Sequence, residues 1–390
     1  MKKYFLTFSF LLSAFSINAQ LYQRIHKKAI VVDTHNDILM KATDDAMQFD
    51  TNLKGKTQSD LDRWKQGGLD VQLFSVFCDG HKINPFAYAN RQMDTLDAVI
   101  LRNPDKIVKV ANSKQLYKVV HQHKIAAMFG VEGGHMIEND LNKLDSLYMR
   151  GARYMTLTWN NSTDWASSAF EERFKKDLAH KGLTDFGKQV VQRMNQLGMI
   201  IDISHVGETT FWDVINTTTK PIIASHSSVY HFNTHQRNLK DEQIKAIAKN
   251  GGVIQINFYS GFLDSLYEKK NALFEAKHKI EIDSLKKINP ESYYYSGILY
   301  KKYPDEVNGI RPPLALLIEH IEYIIQLVGI DYVGLGSDFD GINSSPQQLD
   351  DVTTYPLITK ALLEKGYSKK DITKILGGNF LRVLKANEHK

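Results

Sequence analysis

The 390-residue chain is 43% hydrophobic and 24% charged, an ordinary globular balance that excludes a fibrous or disordered protein. Its formal net charge of +5 is spread over basic residues interleaved with acids, so the clustered basic stripe of a nucleic-acid groove is missing. The single cysteine, Cys78, excludes an internal disulfide, leaving core size to supply stability.

Lys2 and Lys3 precede an apolar run from Tyr4 to Phe15, which closes at Ile17-Asn18-Ala19 before Gln20. A basic start, a short greasy middle and a small residue at the cut form the layout of a cleavable export signal. The run falls short of the roughly 20 apolar residues of a spanning helix, and no Cys follows the cut to carry a lipid. Loss of residues 1–19 takes away Lys2 and Lys3, lowering the net charge to +3. The expected product is an exported protein, periplasmic or secreted, with no transmembrane segment. Residues 20–390 contain no repeat and no Pro- or Gly/Ser-rich linker, so a single domain is expected.

Short runs rich in Val, Ile and Phe predict eight strands, at 29–33, 70–77, 125–131, 153–158, 199–203, 221–225, 252–258 and 331–336. Helical patterns separate most of them, for example 184–197 and 241–249, each followed by a Gly or Asn-Gly stop. Strand then helix, repeated eight times, predicts an α/β fold of the parallel (β/α)8 barrel type, ahead of a doubly wound open sheet or two smaller α/β domains.

Each of several strands ends in a metal-competent side chain. The first, VVDTHND, carries Asp33, His35 and Asp37 at every second position, so strand geometry would aim them to one side. The third ends in Glu132 within GVEGGH, the fifth in His205 within IDISHVG, the sixth in His226 within ASHSS and the eighth in Asp338 within GLGSDFDG. Barrel active sites assemble at the C-terminal mouth from the ends of different strands. Unpaired buried charge is costly, and bound cations would compensate it. Three imidazoles with two or three carboxylates suit zinc or a similar first-row ion. Five or six ligands predict two ions, with Glu132, between the His35/Asp37 and His205/His226 pairs, as the bridge. His135, His320, Asp33, Asp202 and Asp340 are expected as outer partners that orient the ligands. Any one of these residues alone reads as a loop or capping group; five at four strand ends do not. G-x-S-x-G and H-E-x-x-H are both missing, which excludes a serine-hydrolase elbow and a single-helix zinc protease.

Taken in order, VDTHND, GVEGGH, DISHVG, ASHSS with QRN, GSDFDG, NFYS (257–260) and GGNFLRVL (377–384) resemble the membrane dipeptidase (renal dipeptidase, or dehydropeptidase) family of metallopeptidases over nearly the whole chain after residue 19. That resemblance implies two zinc ions in a (β/α)8 barrel, with His35 and Asp37 on one, His205 and His226 on the other, and Glu132 between. It implies Asp338 as catalytic acid/base and Arg237 of QRN as receiver of a dipeptide's terminal carboxylate. The expected reaction is hydrolysis of a dipeptide amide bond by hydroxide shared between the ions. Two differences stand out: mammalian members carry histidine where LTWNNS places Trp159, and residues 262–309 form a Lys-, Glu- and Tyr-rich stretch expected as an insertion. That stretch leaves open a lid, a homodimer surface or a solvated helical excursion. Two other readings stay open, a related hydrolase of lactones, phosphoesters or cyclic amides, and an exported metal-binding protein without catalysis.

Overall fold

The computed structural model describes residues 20–290 and 292–389, so the expected signal, residues 1–19, lies outside the described residues. Among the described residues nine strands occur, β1 (Val32–Asn36), β2 (Val71–Phe77), β3 (Ile107–Lys109), β4 (Ile125–Glu132), β5 (Ala152–Thr156), β6 (Ile200–Asp202), β7 (Ile223–Ser227), β8 (Val253–Ile256) and β9 (Val333–Leu335). Eight pair in parallel in the order β1-β2-β4-β5-β6-β7-β8-β9. The seam between β9 and β1 is joined just past the strand, where Asp338 N donates to His35 O (3.1 Å) and Asp37 N to Phe339 O (3.0 Å). The result is a nearly closed (β/α)8 barrel. The extra strand β3 lies outside that ring and pairs only with β4; its three residues are too short a run to be separated from the helix-to-strand loop in the sequence.

The helices form where the patterns predict them. The helix Asp185–Leu197 starts on the Thr184 hydroxyl, which accepts from Gly187 N, and stops at Gly198 in the left-handed region (φ 76°). The helix Asp241–Asn250 ends likewise at Gly251 (φ 82°). The barrel's lower end is dry: Val32, Val71, Leu73, Met128, Ile200, Ile223 and Val253 pack against Phe380, Val383 and Leu384 of the GGNFLRVL segment. Asn379 of that segment donates to Ile330 O and Val333 O (both 2.8 Å), so the motif plugs the floor and leaves the chemistry to the opposite end.

Residues 267–310 form four short helices, Tyr267–Lys277, Lys279–Lys286, Ser292–Lys302 and Pro304–Ile310, with a small apolar cluster of their own around Phe274, Ile282, Leu299 and Val307. A hydroxyl chain from Tyr267 to Tyr300 (3.1 Å) and on to Asn271 (2.7 Å) ties the first of them to the third. No helix among the described residues is long and apolar enough to cross a membrane.

Candidate metal centre

Glu132 ends β4, and its two oxygens divide between flanking imidazoles. Oε2 lies 3.2 Å from His35 Nε2, while Oε1 lies 2.9 Å from His205 Nε2 and 3.4 Å from His226 Nε2. His35 Nε2 is also 3.4 Å from Asp37 Oδ2, and the ligand atoms of His35, Asp37 and Asp338 lie within 4.8 Å of one another. Six expected residues therefore meet at the C-terminal mouth. Two of them, His205 (φ 66°) and Asp338 (φ 62°), occupy the left-handed region that non-glycine residues rarely adopt, a local strain of the kind held at functional sites.

The outer partners fix the ring orientations. Tyr154 OH donates to Thr34 O (3.0 Å), so its oxygen accepts from His35 Nδ1 (2.9 Å). Ser225 OH donates to Asp202 Oδ2 (2.6 Å) and accepts from His226 Nδ1 (2.8 Å). Asn160 Oδ1 accepts from His205 Nδ1 (3.2 Å). With each Nδ1 protonated, all three Nε2 atoms turn lone pairs toward the carboxylates and one another; His205 and His226 stand 3.1 Å apart, Nε2 to Nε2. His35 Nε2 and Asp37 Oδ1 are buried without a hydrogen-bond partner. Lone pairs facing carboxylates at these distances repel unless a cation sits among them, so the donor set fits metal ions.

Electrostatics point the same way. Among the described residues, Asp37, Glu132 and Asp338 form no ion pair with any Lys or Arg. Burial lowers the His226 pKa well below its ordinary value and brings His205 to about 3, leaving both rings neutral and ligand-competent. Burial also opposes the His35 imidazolium, but Tyr154, Glu132 and Asp37 outweigh it and hold its pKa well above the ordinary range. The pocket thus draws a positive charge to His35 Nε2, which a metal ion would supply in place of the proton. Burial, then the Asp37 charge, pushes Asp338 well above the ordinary carboxylate range. Its Oδ2 accepts from Asn257 Nδ2 (2.8 Å), and Asn257 is held in turn by Tyr259 N (2.6 Å).

Arg237 is buried beside this cluster, donating to His226 O (3.1 Å) and Ser227 Oγ (3.4 Å), with its guanidinium over the Phe262 ring. Its Nε has no acceptor, and no carboxylate pairs with it among the described residues. Burial lowers its pKa only to about 10, so it remains a cation at neutral pH. A cavity of about 230 Å³ opens between Arg237, His205, Glu172, Arg173 and Tyr230.

Three expectations need correction. Asp33 does not join His35 and Asp37. Its carboxylate accepts from Ser337 N and OH, Tyr355 OH and His35 N (2.8, 2.6, 2.5 and 3.2 Å), so it supports His35 from its backbone instead of facing the cluster, and the β1–β2 register slips between Asp33 and Asn36. His320 and His135 are remote supports: His320 bridges Val229 N and Leu263 O (both 3.1 Å), and His135 contacts the Cys78 carbonyl (3.1 Å). Asp340 accepts from Ser59, Gln58 N (2.8 Å) and Lys41 (3.1 Å) rather than from a ligand.

Tyr154, Asn160 and Ser225 were not singled out as site residues in the sequence. Gly130 carried the one available signal, because a Cβ there would stand 1.9 Å from the Tyr154 ring. Tyr154→Phe, which removes only the oxygen holding His35, is expected to weaken metal binding about 10- to 100-fold with unchanged circular dichroism; metal titration would measure it.

The sequence profile described as membrane dipeptidase (peptidase family M19) matches residues 19–390. The chain is 30% identical to an uncharacterised dipeptidase of Schizosaccharomyces pombe, over 95% of this chain and 83% of that protein. It is 29% identical to mouse dipeptidase 3, over 92% of this chain and 64% of that protein. Its fold is similar to the probable dipeptidase PvdM from Pseudomonas aeruginosa (TM-score 0.76, 24% identity, 95% of this chain and 98% of that one). It is also similar to a metallopeptidase from Rhodobacter sphaeroides solved with a phosphinate mimic of L-Ala-D-Ala (TM-score 0.75, 22% identity, 93% and 100%).

Proposed function

This chain belongs to the membrane dipeptidase family of metallopeptidases, and from that premise we propose that it is an exported, two-zinc dipeptidase that hydrolyses the amide bond of small dipeptides. The observation that carries the reading is the convergence of three imidazole Nε2 atoms on the two oxygens of Glu132, each ring's Nδ1 being engaged by an outer partner. In this reading His35 and Asp37 would hold one ion, His205 and His226 the other, and Glu132 would serve both. Such ions, when bound, polarise a carbonyl and lower a water's pKa from about 16 to about 7. Export rests on the basic-then-apolar pattern of residues 1–19.

The protein's own groups do the rest. Arg237 takes the substrate's terminal carboxylate through a charge-assisted contact, filling the anion role that no protein carboxylate fills. That contact sets the distance to the attacked bond, so a longer peptide would place its carboxylate out of register. Asp338 accepts a proton from the attacking water and returns it to the departing nitrogen. Asn257 keeps one Asp338 oxygen engaged so that the other is turned to the reaction. The mouth's buried walls limit competing water.

Arg237→Ala is expected to raise KM for dipeptides by at least about tenfold while the purified protein keeps its metal; lost charge-assisted contacts to a buried ion are worth about 1.5–3 kcal/mol. Unchanged KM would return this arginine to a structural role. Metal analysis of the purified chain, with hydrolysis of L,L- and L,D-dipeptides before and after chelation, tests the reading as a whole. Turnover of lactones or phosphoesters but no dipeptide would overturn it.

A further inference from the structure

The mouth of the barrel has two unlike ends. Arg237, Ser227 and the cavity beside them form a polar end on the β7 side. Phe77 and Trp159 form an aromatic pair on the other side, their rings 5.0 Å apart and edge to face. Phe77 is the last residue of β2 and is paired in register with Glu132. Two residues earlier on the same face of β2, Ser75 OH donates to Glu132 Oε2 (3.2 Å), so this face looks into the throat. Trp159 follows β5, the strand on the other flank of β4, and its ring lies 6.3 Å from His205. The pair therefore spans the end of β4 from both neighbours, over Glu132.

Both rings are partly exposed rather than packed into the core, and their backing is firm. The residue after Trp159, Asn160, holds His205. Asn161 lies so close to Gly80 that a Cβ on that glycine would stand 2.3 Å from the Asn161 amide carbon. The loops after β2 and β5 are thereby locked against each other, which leaves the aromatic faces fixed.

We propose that Phe77 and Trp159 form the subsite for the residue on the acyl side of the cleaved bond, selecting apolar and aromatic side chains there. The inference rests on the dipeptidase reading and adds to it the class of N-terminal residue. Two extended residues span about 7 Å. With the carboxylate on Arg237 and the carbonyl over Glu132, the remaining residue runs away from Arg237, toward the aromatic pair. An aliphatic or aromatic side chain there sheds water against two rings, whereas glycine leaves them wet.

The test compares kcat/KM of the zinc-loaded full chain on Gly-Ala, Leu-Ala and Phe-Ala, for wild type and Trp159→Ala. Wild type is expected to favour Leu-Ala and Phe-Ala over Gly-Ala, and the variant to lose about tenfold of that ratio, the scale set by removing hydrophobic pocket contacts. Trp159→Phe should retain most of it. Phe77→Leu probes the same wall by a smaller change and should reduce the Phe-Ala preference even where Trp159→Ala fails to fold. An unchanged ratio in folded variants, or a wild type indifferent to the first residue, overturns the subsite while leaving the dipeptidase reading intact. No turnover of any of the three peptides would overturn both.

Discussion

Asp338→Asn is expected to keep its bound metal and to lose about a hundredfold to ten-thousandfold of kcat, the range for removing a positioned acid/base group. Asparagine has the same shape and can still meet Asn257, so the loop and its left-handed backbone at Asp338 should persist. What disappears is the exchangeable proton. Burial and the Asp37 charge raise this carboxyl's affinity for a proton, which suits a group that takes one from water and hands it to a leaving nitrogen. Elemental analysis alongside steady-state kinetics separates the outcomes. Retained metal with full turnover would remove Asp338 from the chemistry. Lost metal would make it a ligand, as its proximity to His35 and Asp37 allows.

Glu132→Gln is expected to abolish turnover and to weaken metal binding by more than about a hundredfold, beyond the effect of losing an outer partner. Among the described residues no other carboxylate reaches all three imidazoles; Glu132 contacts His35 through one oxygen and His205 and His226 through the other. The amide keeps the volume but replaces one oxygen by a donor and removes the negative charge. Its NH2 could satisfy one imidazole lone pair, which would stabilise the empty pocket against the loaded one. Isothermal titration with zinc would measure the change, and an affinity within threefold of wild type would deny Glu132 a place between two ions.

Much of the fold was legible in the chain because parallel strands buried on both faces read as near-continuous apolar runs, and because Thr184, Gly198 and Gly251 mark helix ends with ordinary capping chemistry. The ends of the strands were legible for the same reason. A charged residue directly after such a run has nowhere to go but the mouth. β3 was not legible, since three residues carry too little periodicity. Nor was the slip in β1, because the sequence records alternation and only the neighbouring strand sets register.

The sequence by itself pointed to the barrel and to the five candidate ligands with Asp338, since both follow from local pattern and from which residues close each apolar run. Tertiary structure alone decided which nitrogen of each histidine faces the cluster. Tyr154, Asn160 and Ser225 set those tautomers across separations of 119, 45 and 1 residues, and even the adjacent Ser225 does so only because Asp202, 23 residues away, accepts its proton. Proton placement is a property of three-dimensional hydrogen-bond chains, and no one-dimensional period encodes it.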